Sequence, residues 1–120
     1  MMRLFAICFL ACGVLPTHAA AHAISPAECT EGGDFIRNAA LARDAGITRE
    51  FFVDKLIEDF IVIRAFPPDL RWFVQDEFDE IFLSERVYKV FDEPMEAEEH
   101  EAAFVKDCLQ VTYTAQGEGI

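Results

Sequence analysis

Four carboxylates stand close together in one short stretch of the sequence, and they are the first candidates for chemistry. Asp76, Glu77, Asp79 and Glu80 form the densest acidic cluster of the chain, a few residues after Trp72. Paired carboxylates can act as general acid and base, as in glycoside hydrolysis, but that reaction also needs a sugar-binding cleft. The cluster could instead be a solvated helix face, or a docking surface on which opposite charge accelerates the encounter with a basic protein and aromatic side chains anchor it. We interpret one set of residues as candidate partner-binding residues: Arg71, Trp72, Asp76, Glu77, Asp79 and Glu80.

The sequence offers few other side chains for catalysis. Beyond residue 23 the only histidine is His100 and the only serines are Ser25 and Ser84. Ser25 is better explained as a helix cap, so a Ser-His-Asp site would have to combine Ser84 with His100. Glu96 lies one helical turn before His100, but metal sites in bundles draw several histidines and carboxylates from facing helices. No phosphate-binding glycine loop occurs. We therefore predict no catalytic residue, no metal site and no cofactor.

The start of the chain has the pattern of a secretory signal peptide. Arg3 precedes an apolar run from Leu4 to Leu15, and small residues lead to Ala23. The run is shorter than the roughly 20 residues that a membrane-spanning helix needs. We predict that residues 1–23 are removed on export to the periplasm or the medium, which leaves no stable membrane insertion. A lipid anchor on Cys12 is the alternative, although the residues before Cys12 match its usual signal poorly.

The chain is strongly acidic and rich in large apolar residues. It carries 22 Asp and Glu against 10 Lys and Arg, a formal charge of −12, and loss of Arg3 with the signal would make it more negative still. Such a surface repels nucleic-acid phosphates and anionic membranes. The 12 phenylalanines argue for a packed core and against disorder.

Two cysteines, Cys29 and Cys108, remain after removal of the signal peptide. In an oxidising compartment a single pair is most simply a disulfide. A bond that closes so long a loop stabilises the fold by about 4 to 5 kcal/mol in the chain-entropy model. The alternative is two buried free thiols.

Helix start and stop signals divide the remaining chain. Ser25-Pro26-Ala27-Glu28 has the pattern of a capping box, and Gly46 is placed to end the first helix, in which Gly32 and Gly33 are a candidate interruption. Thr48 is placed to cap a second helix with apolar residues on several sides, which predicts a central position.

A third helix is predicted to start at Pro68 and to bend or restart near Ser84, where its apolar face shifts. Pro94 marks a fourth, with Lys106 expected near its C-terminal end. No segment alternates as strands do. We predict an all-α fold, a single small bundle of four to five helices over residues 24–111 closed by the Cys29–Cys108 disulfide, with a flexible tail at residues 112–120.

Two segments carry a resemblance to known proteins. Residues 34–46, DFIRNAALARDAG, and residues 64–76, RAFPPDLRWFVQD, resemble small exported α-helical proteins of Gram-negative bacteria that have a terminal cysteine pair and no assigned function. In layout the chain is also similar to periplasmic acid-stress chaperones of the HdeA type, which are small, helical and closed by one disulfide. The resemblance implies export and a helical fold, and it carries over no catalytic residue.

Three functions remain as hypotheses. The first is a non-enzymatic interaction protein whose acidic, aromatic-flanked surface binds a basic periplasmic or secreted protein. The second is an acid-activated holding chaperone, in which carboxylate protonation loosens the helices and exposes phenylalanine side chains while the disulfide keeps the chain compact. The third and least supported is a hydrolytic enzyme.

Overall fold

The computed structural model describes residues 24–118 of the chain, and their side chains as far as residue 111. Over this range the chain is helical without any strand: α1 Pro26–Asp44, α2 Arg49–Arg64, a 3-10 turn Pro68–Leu70, α3 Glu77–Asp92 and α4 Ala97–Glu118. The predicted all-α bundle is confirmed, and so is the disulfide between Cys29 and Cys108. The predicted signal peptide, residues 1–23, lies outside the described residues.

The first helix is formed by the capping signals that the sequence carries. The Ser25 hydroxyl accepts a hydrogen bond from the Glu28 amide at 3.1 Å, and the Glu28 carboxylate accepts one from the Ser25 amide at 2.9 Å. The helix ends before Gly46, whose φ of 101° only glycine adopts without strain. Gly32 and Gly33 do not interrupt α1; both are buried, with Phe104 packed over Gly32 and Val105 over Gly33.

α1 and α4 form an antiparallel pair and make the most extensive contact between helices in the fold. The disulfide joins the start of α1 to α4 with a Cα–Cα distance of 5.6 Å. Arg37, further along α1, lies within ion-pair distance of Glu98 and Glu101 near the start of α4. α3 packs against α1, and the buried side chains between them come from all three helices and the segment before α3: Ile36, Ala39, Ala40, Phe73, Val74, Leu83, Val87, Val90 and Phe104.

α2 packs chiefly against α3, and the two helices run antiparallel. An ion pair joins them at each end. Arg49, in the first turn of α2, lies 3.0 Å from Asp92, the last residue of α3. Arg64, in the last turn of α2, binds Glu80 in the first turn of α3. The Thr48 hydroxyl accepts from the Phe51 amide at 3.2 Å, which confirms the predicted cap of α2.

The prediction of a helix from Pro68 through Leu83 was wrong. Only a single 3-10 turn follows Pro68, and α3 begins at Glu77 and runs past Ser84 to Asp92 without a restart. Phe73 and Val74, neighbours in sequence, are both buried. Both side chains enter the core from the irregular segment between the 3-10 turn and α3.

The prediction of a central α2 was also wrong. Only Leu56 and Phe60 are buried in α2, while several large apolar side chains are exposed: Phe51, Ile57, Ile61 and Val62. α2 therefore has more apolar surface than its neighbouring helices cover.

α4 starts where Pro94 predicted, but it departs from its prediction at the C-terminal end. It begins at Ala97, after Pro94, and continues to Glu118, so Lys106 lies in its interior and not near its C-terminal end. The helical backbone therefore includes much of the segment predicted as a tail, while the flexibility of residues 112–120 stays a prediction.

Candidate functional site

Arg71, the first candidate partner-binding residue, holds the turn that leads into α3. Its Nε donates to the Phe66 carbonyl at 2.8 Å, Nη2 to the Arg64 carbonyl at 3.1 Å and Nη1 to the Gln75 carbonyl at 3.2 Å. Hydrogen bonds from a charged donor are stronger than neutral ones. The guanidinium thus shapes the backbone between α2 and α3.

Trp72 is half-buried in a chain of aromatic rings. Its ring centroid lies 5.5 Å from that of Phe35 and 4.3 Å from that of Phe73, which in turn lies 6.4 Å from Phe104. Tilted and edge contacts of this kind are favourable for aromatic pairs. Trp72 therefore connects the core to the surface, where it also lines a small apolar cavity of about 340 Å³ beside α2.

The four carboxylates of the acidic cluster have different surroundings. Asp76 caps α3 by accepting from the Asp79 amide at 3.0 Å, and Asp79, only 6% exposed, accepts from the Gln75 amide at 2.9 Å. Glu80 binds Arg64, and Glu77 is exposed. Two of the four thus stabilise the start of α3, one is ion-paired, and one faces solvent.

The ion pair between Arg64 and Glu80 is bidentate. Arg64 Nε donates to one carboxylate oxygen at 2.8 Å, and Nη2 donates to the other. These hydrogen bonds, and then the Coulomb attraction of Glu80, raise the pKa of Arg64 above its ordinary value. The guanidinium of Arg64 therefore stays positively charged beside Glu80.

A groove of about 770 Å³ runs between α2 and α3. Ile57, Phe60, Ile61 and Ile81 contribute its apolar side chains. Four carboxylates line it as well, and three of them belong to the predicted acidic cluster: Asp76, Glu77, Glu80 and Glu85. The groove is open to solvent between the two ion pairs that join α2 to α3. We call it the α2–α3 groove.

The structure brings together Asp76, Glu77 and Glu80 at the α2–α3 groove, and it places the other candidates elsewhere. Arg71 and Trp72 belong to the preceding segment, and Asp79 points into the protein. Sequence reasoning missed Ile57 and Ile61, because a central position of α2 would have covered the apolar residues on all its sides. The signal that could have identified them is the number of apolar side chains around α2, which exceeds what one neighbouring helix can cover.

His100 is buried and interacts with the end of α1. Its Nε2 donates to the Glu93 carbonyl at 2.9 Å and lies 3.3 Å from Arg43 Nη1. Ser84 lines the α2–α3 groove instead. The structure therefore does not pair Ser84 with His100 as a hydrolytic site would require.

Arg43 connects the C-terminal end of α1 to the segment between α3 and α4 by hydrogen bonds. Its guanidinium donates to three carbonyl oxygens, those of Val90 at 2.6 Å, Met95 at 2.8 Å and Glu93 at 3.1 Å. These carbonyls lie beyond or near the end of α3 and lack helical partners. Arg43 is therefore a structural residue.

Within the described part of the chain, no three or more His, Cys, Asp and Glu side chains are grouped to hold a metal ion. No helix there combines the length and apolar character needed to cross a bilayer. Comparison of the chain with protein-family models, with curated proteins and with solved structures finds no match.

Proposed function

We propose that this chain is an exported, non-enzymatic binding protein whose α2–α3 groove receives a basic amphipathic segment of another protein. The apolar face of that segment would lie on the isoleucines of the groove, and its cations would meet the carboxylates around it. The observation that carries the proposal is the combination of uncovered isoleucines and acidic side chains in one groove.

The apolar side of the groove supports a protein partner. Ile57, Ile61 and Ile81 are each about half exposed, although water solvates such side chains poorly. Contiguous exposed apolar surface bordered by polar residues is typical of protein interaction sites. An amphipathic helix laid in a groove between two helices is a recurrent mode of recognition.

The charge of the groove and of the whole chain supports a basic partner. Asp76, Glu77, Glu80 and Glu85 line the groove, with Arg64 as its only cationic lining residue, and the chain carries a formal charge of −12. Opposite charge accelerates association and disfavours acidic competitors. Salt should therefore weaken the binding.

A synthetic amphipathic helix with a leucine face and an arginine-rich face tests the proposal by titration calorimetry at low and moderate salt. Ile61 and Val62 provide a matched pair of variants, since they are neighbours with 59% and 56% exposure but only Ile61 lines the groove. We expect Ile61→Ser to weaken binding about tenfold, the effect of losing a central apolar contact, and Val62→Ser to change it little. Equal effects of the two substitutions, or no binding at all, would contradict the proposal.

The acid-activated holding chaperone remains a second candidate because of how α2 is attached. Arg49–Asp92 and Arg64–Glu80 join α2 to α3, and both pairs require an ionised carboxylate. The disulfide joins α1 and α4, so α2 could separate from α3 in acid without releasing the ends of the bundle.

Aggregation of a client protein at about pH 2 to 3, where carboxylates are protonated, tests this second candidate. Suppression of aggregation at that pH but not at pH 7 would support a holding chaperone, and no suppression at either pH would exclude it.

A further inference from the structure

The two partners of the Arg64–Glu80 pair differ sharply in exposure. The Glu80 side chain is 12% exposed, whereas that of Arg64 is 60% exposed. Glu80 is therefore a carboxylate largely withdrawn from water, and such a group is costly to leave without a cation. Arg64 covers it from the solvent side and is itself free to move into water.

The geometry at Glu80 suits a guanidinium and not an ammonium group. Arg64 uses Nε and Nη2 to reach the two oxygens of the carboxylate separately. Such a fork-shaped contact is specific to arginine, because lysine offers a single point of charge. A side chain that replaces Arg64 and makes the same two hydrogen bonds to Glu80 must therefore be an arginine.

We propose that Arg64 occupies, in the free protein, the position at Glu80 that an arginine of the bound partner takes in the complex. This inference rests on the proposed function, because it concerns the same α2–α3 groove. It identifies the partner as an amphipathic segment that carries an arginine beside its apolar face, and it makes Arg64 an internal competitor of that segment.

The exchange leaves no group of the fold without a partner. Glu80 passes from one guanidinium to another, and an exposed arginine loses little when it returns to water. The backbone carbonyl of Arg64, which accepts from Arg71 Nη2 at 3.1 Å, stays in place whatever its side chain does. This hydrogen bond of the turn after α2 therefore does not depend on the Arg64 side chain.

The first test removes the internal competitor. We expect Arg64→Ala to tighten binding of the arginine-rich amphipathic peptide about threefold, since the exposed side chain of Arg64 no longer has to be displaced from Glu80. Arg37→Ala is the matched control, because it removes the same charge from a half-exposed, ion-paired arginine that does not line the groove. If both variants bind the peptide more tightly by the same factor, the change in net charge explains the effect and the inference is overturned.

The second test does not depend on the folding of the Arg64 variant. The wild-type protein is titrated with two peptides that differ only in having arginine or lysine on the polar face. We expect the arginine peptide to bind about threefold more tightly, and Glu80→Gln to abolish this preference. A preference of the same size in the Glu80→Gln variant would overturn the inference.

The two proposals fail in different ways. If neither the wild type nor Arg64→Ala binds either peptide, the proposed function is wrong and this inference falls with it. If the peptides bind and Ile61→Ser weakens binding, but arginine and lysine peptides are equivalent, only the position assigned to the partner's arginine is wrong.

Discussion

At the scale of single residues, Asp76 illustrates how a carboxylate stabilises the start of a helix. Its side chain accepts from the Asp79 amide at 3.0 Å, and its backbone carbonyl accepts from the Glu80 amide at 3.1 Å. The first amides of a helix have no partner within the helix, and a negative charge there also interacts favourably with the helix dipole. Asp76 therefore stabilises α3 as well as lining the α2–α3 groove.

Substitution of Asp76 separates its structural role from its charge. We expect Asp76→Ala to lower the free energy of unfolding by about 1 kcal/mol, the usual cost of losing an N-cap. Asp76→Ser keeps a capping oxygen without the charge and should retain most of the stability. Urea denaturation followed by circular dichroism measures both variants, and equal losses would show that the cap is not the cause.

Gly32 shows how the absence of a side chain permits close packing between α1 and α4. A Cβ atom at this position would lie 2.5 Å from Phe104 Cε1 and 3.1 Å from Phe73 Cε1, and both rings are fully buried. The rings cannot move without disturbing the core. Glycine is therefore required here by packing.

We expect Gly32→Ala to lower the free energy of unfolding by about 1 to 2 kcal/mol, because overpacking outweighs the gain in helix propensity. Phe104→Leu makes room at the same place. In that background Gly32→Ala should be neutral or stabilising, and a double-mutant cycle measures the coupling. Independent effects of the two substitutions would contradict the packing explanation.

At the scale of helices, Arg43 is the main polar link between elements. It joins the end of α1 to three carbonyl oxygens at the end of α3 and in the link to α4. No local sequence pattern reports this contact, since Arg43 and Met95 are far apart along the chain. By its position in the last turn of α1, an arginine predicts only an interaction with the dipole of its own helix.

We expect Arg43→Met to lower the free energy of unfolding by about 2 to 3 kcal/mol, because it removes the charged donor that binds the carbonyls of Val90 and Met95. Arg37→Met, at a half-exposed ion pair on the same helix, should cost about 0.5 kcal/mol or less. Thermal unfolding of both variants provides the comparison. Similar losses would show that the carbonyl contacts of Arg43 contribute little.

At the scale of the whole molecule, the disulfide closes a loop that contains α2 and α3. Cys29 and Cys108 are 79 residues apart in sequence. The bond restricts the unfolded chain and joins the two helices that are in most extensive contact in the fold. α2, by contrast, contributes only Leu56 and Phe60 to the buried core.

We expect the double substitution Cys29→Ala and Cys108→Ala to lower the free energy of unfolding by about 4 to 5 kcal/mol. Denaturation in urea, compared with the wild type in oxidised and in reduced form, measures the difference. The reduced wild type should resemble the double variant. If the reduced protein is as stable as the oxidised one, the disulfide does not stabilise the fold by restricting the unfolded chain.

The sequence by itself determined the features that depend on neighbouring residues. The caps at Ser25 and Thr48, the end of α1 before Gly46 and the helical class follow from hydrogen bonds within one turn and from apolar periodicity. The pairing of Cys29 with Cys108 followed from the assumed export and the absence of other cysteines in the remaining chain. These inferences needed no knowledge of how the helices pack.

Only the tertiary structure decided which apolar side chains are covered. The periodicity after Pro68 suited a helix, but the guanidinium of Arg71 binds backbone carbonyls on both sides of it, and the segment that places Phe73 and Val74 in the core is irregular. In the same way α2 has apolar residues on several sides, and the position of α3 leaves Ile57 and Ile61 in an open groove. A helix pattern shows which residues are apolar. Whether those residues are buried depends on contacts between segments that are distant in sequence, and these contacts form only when the whole chain folds.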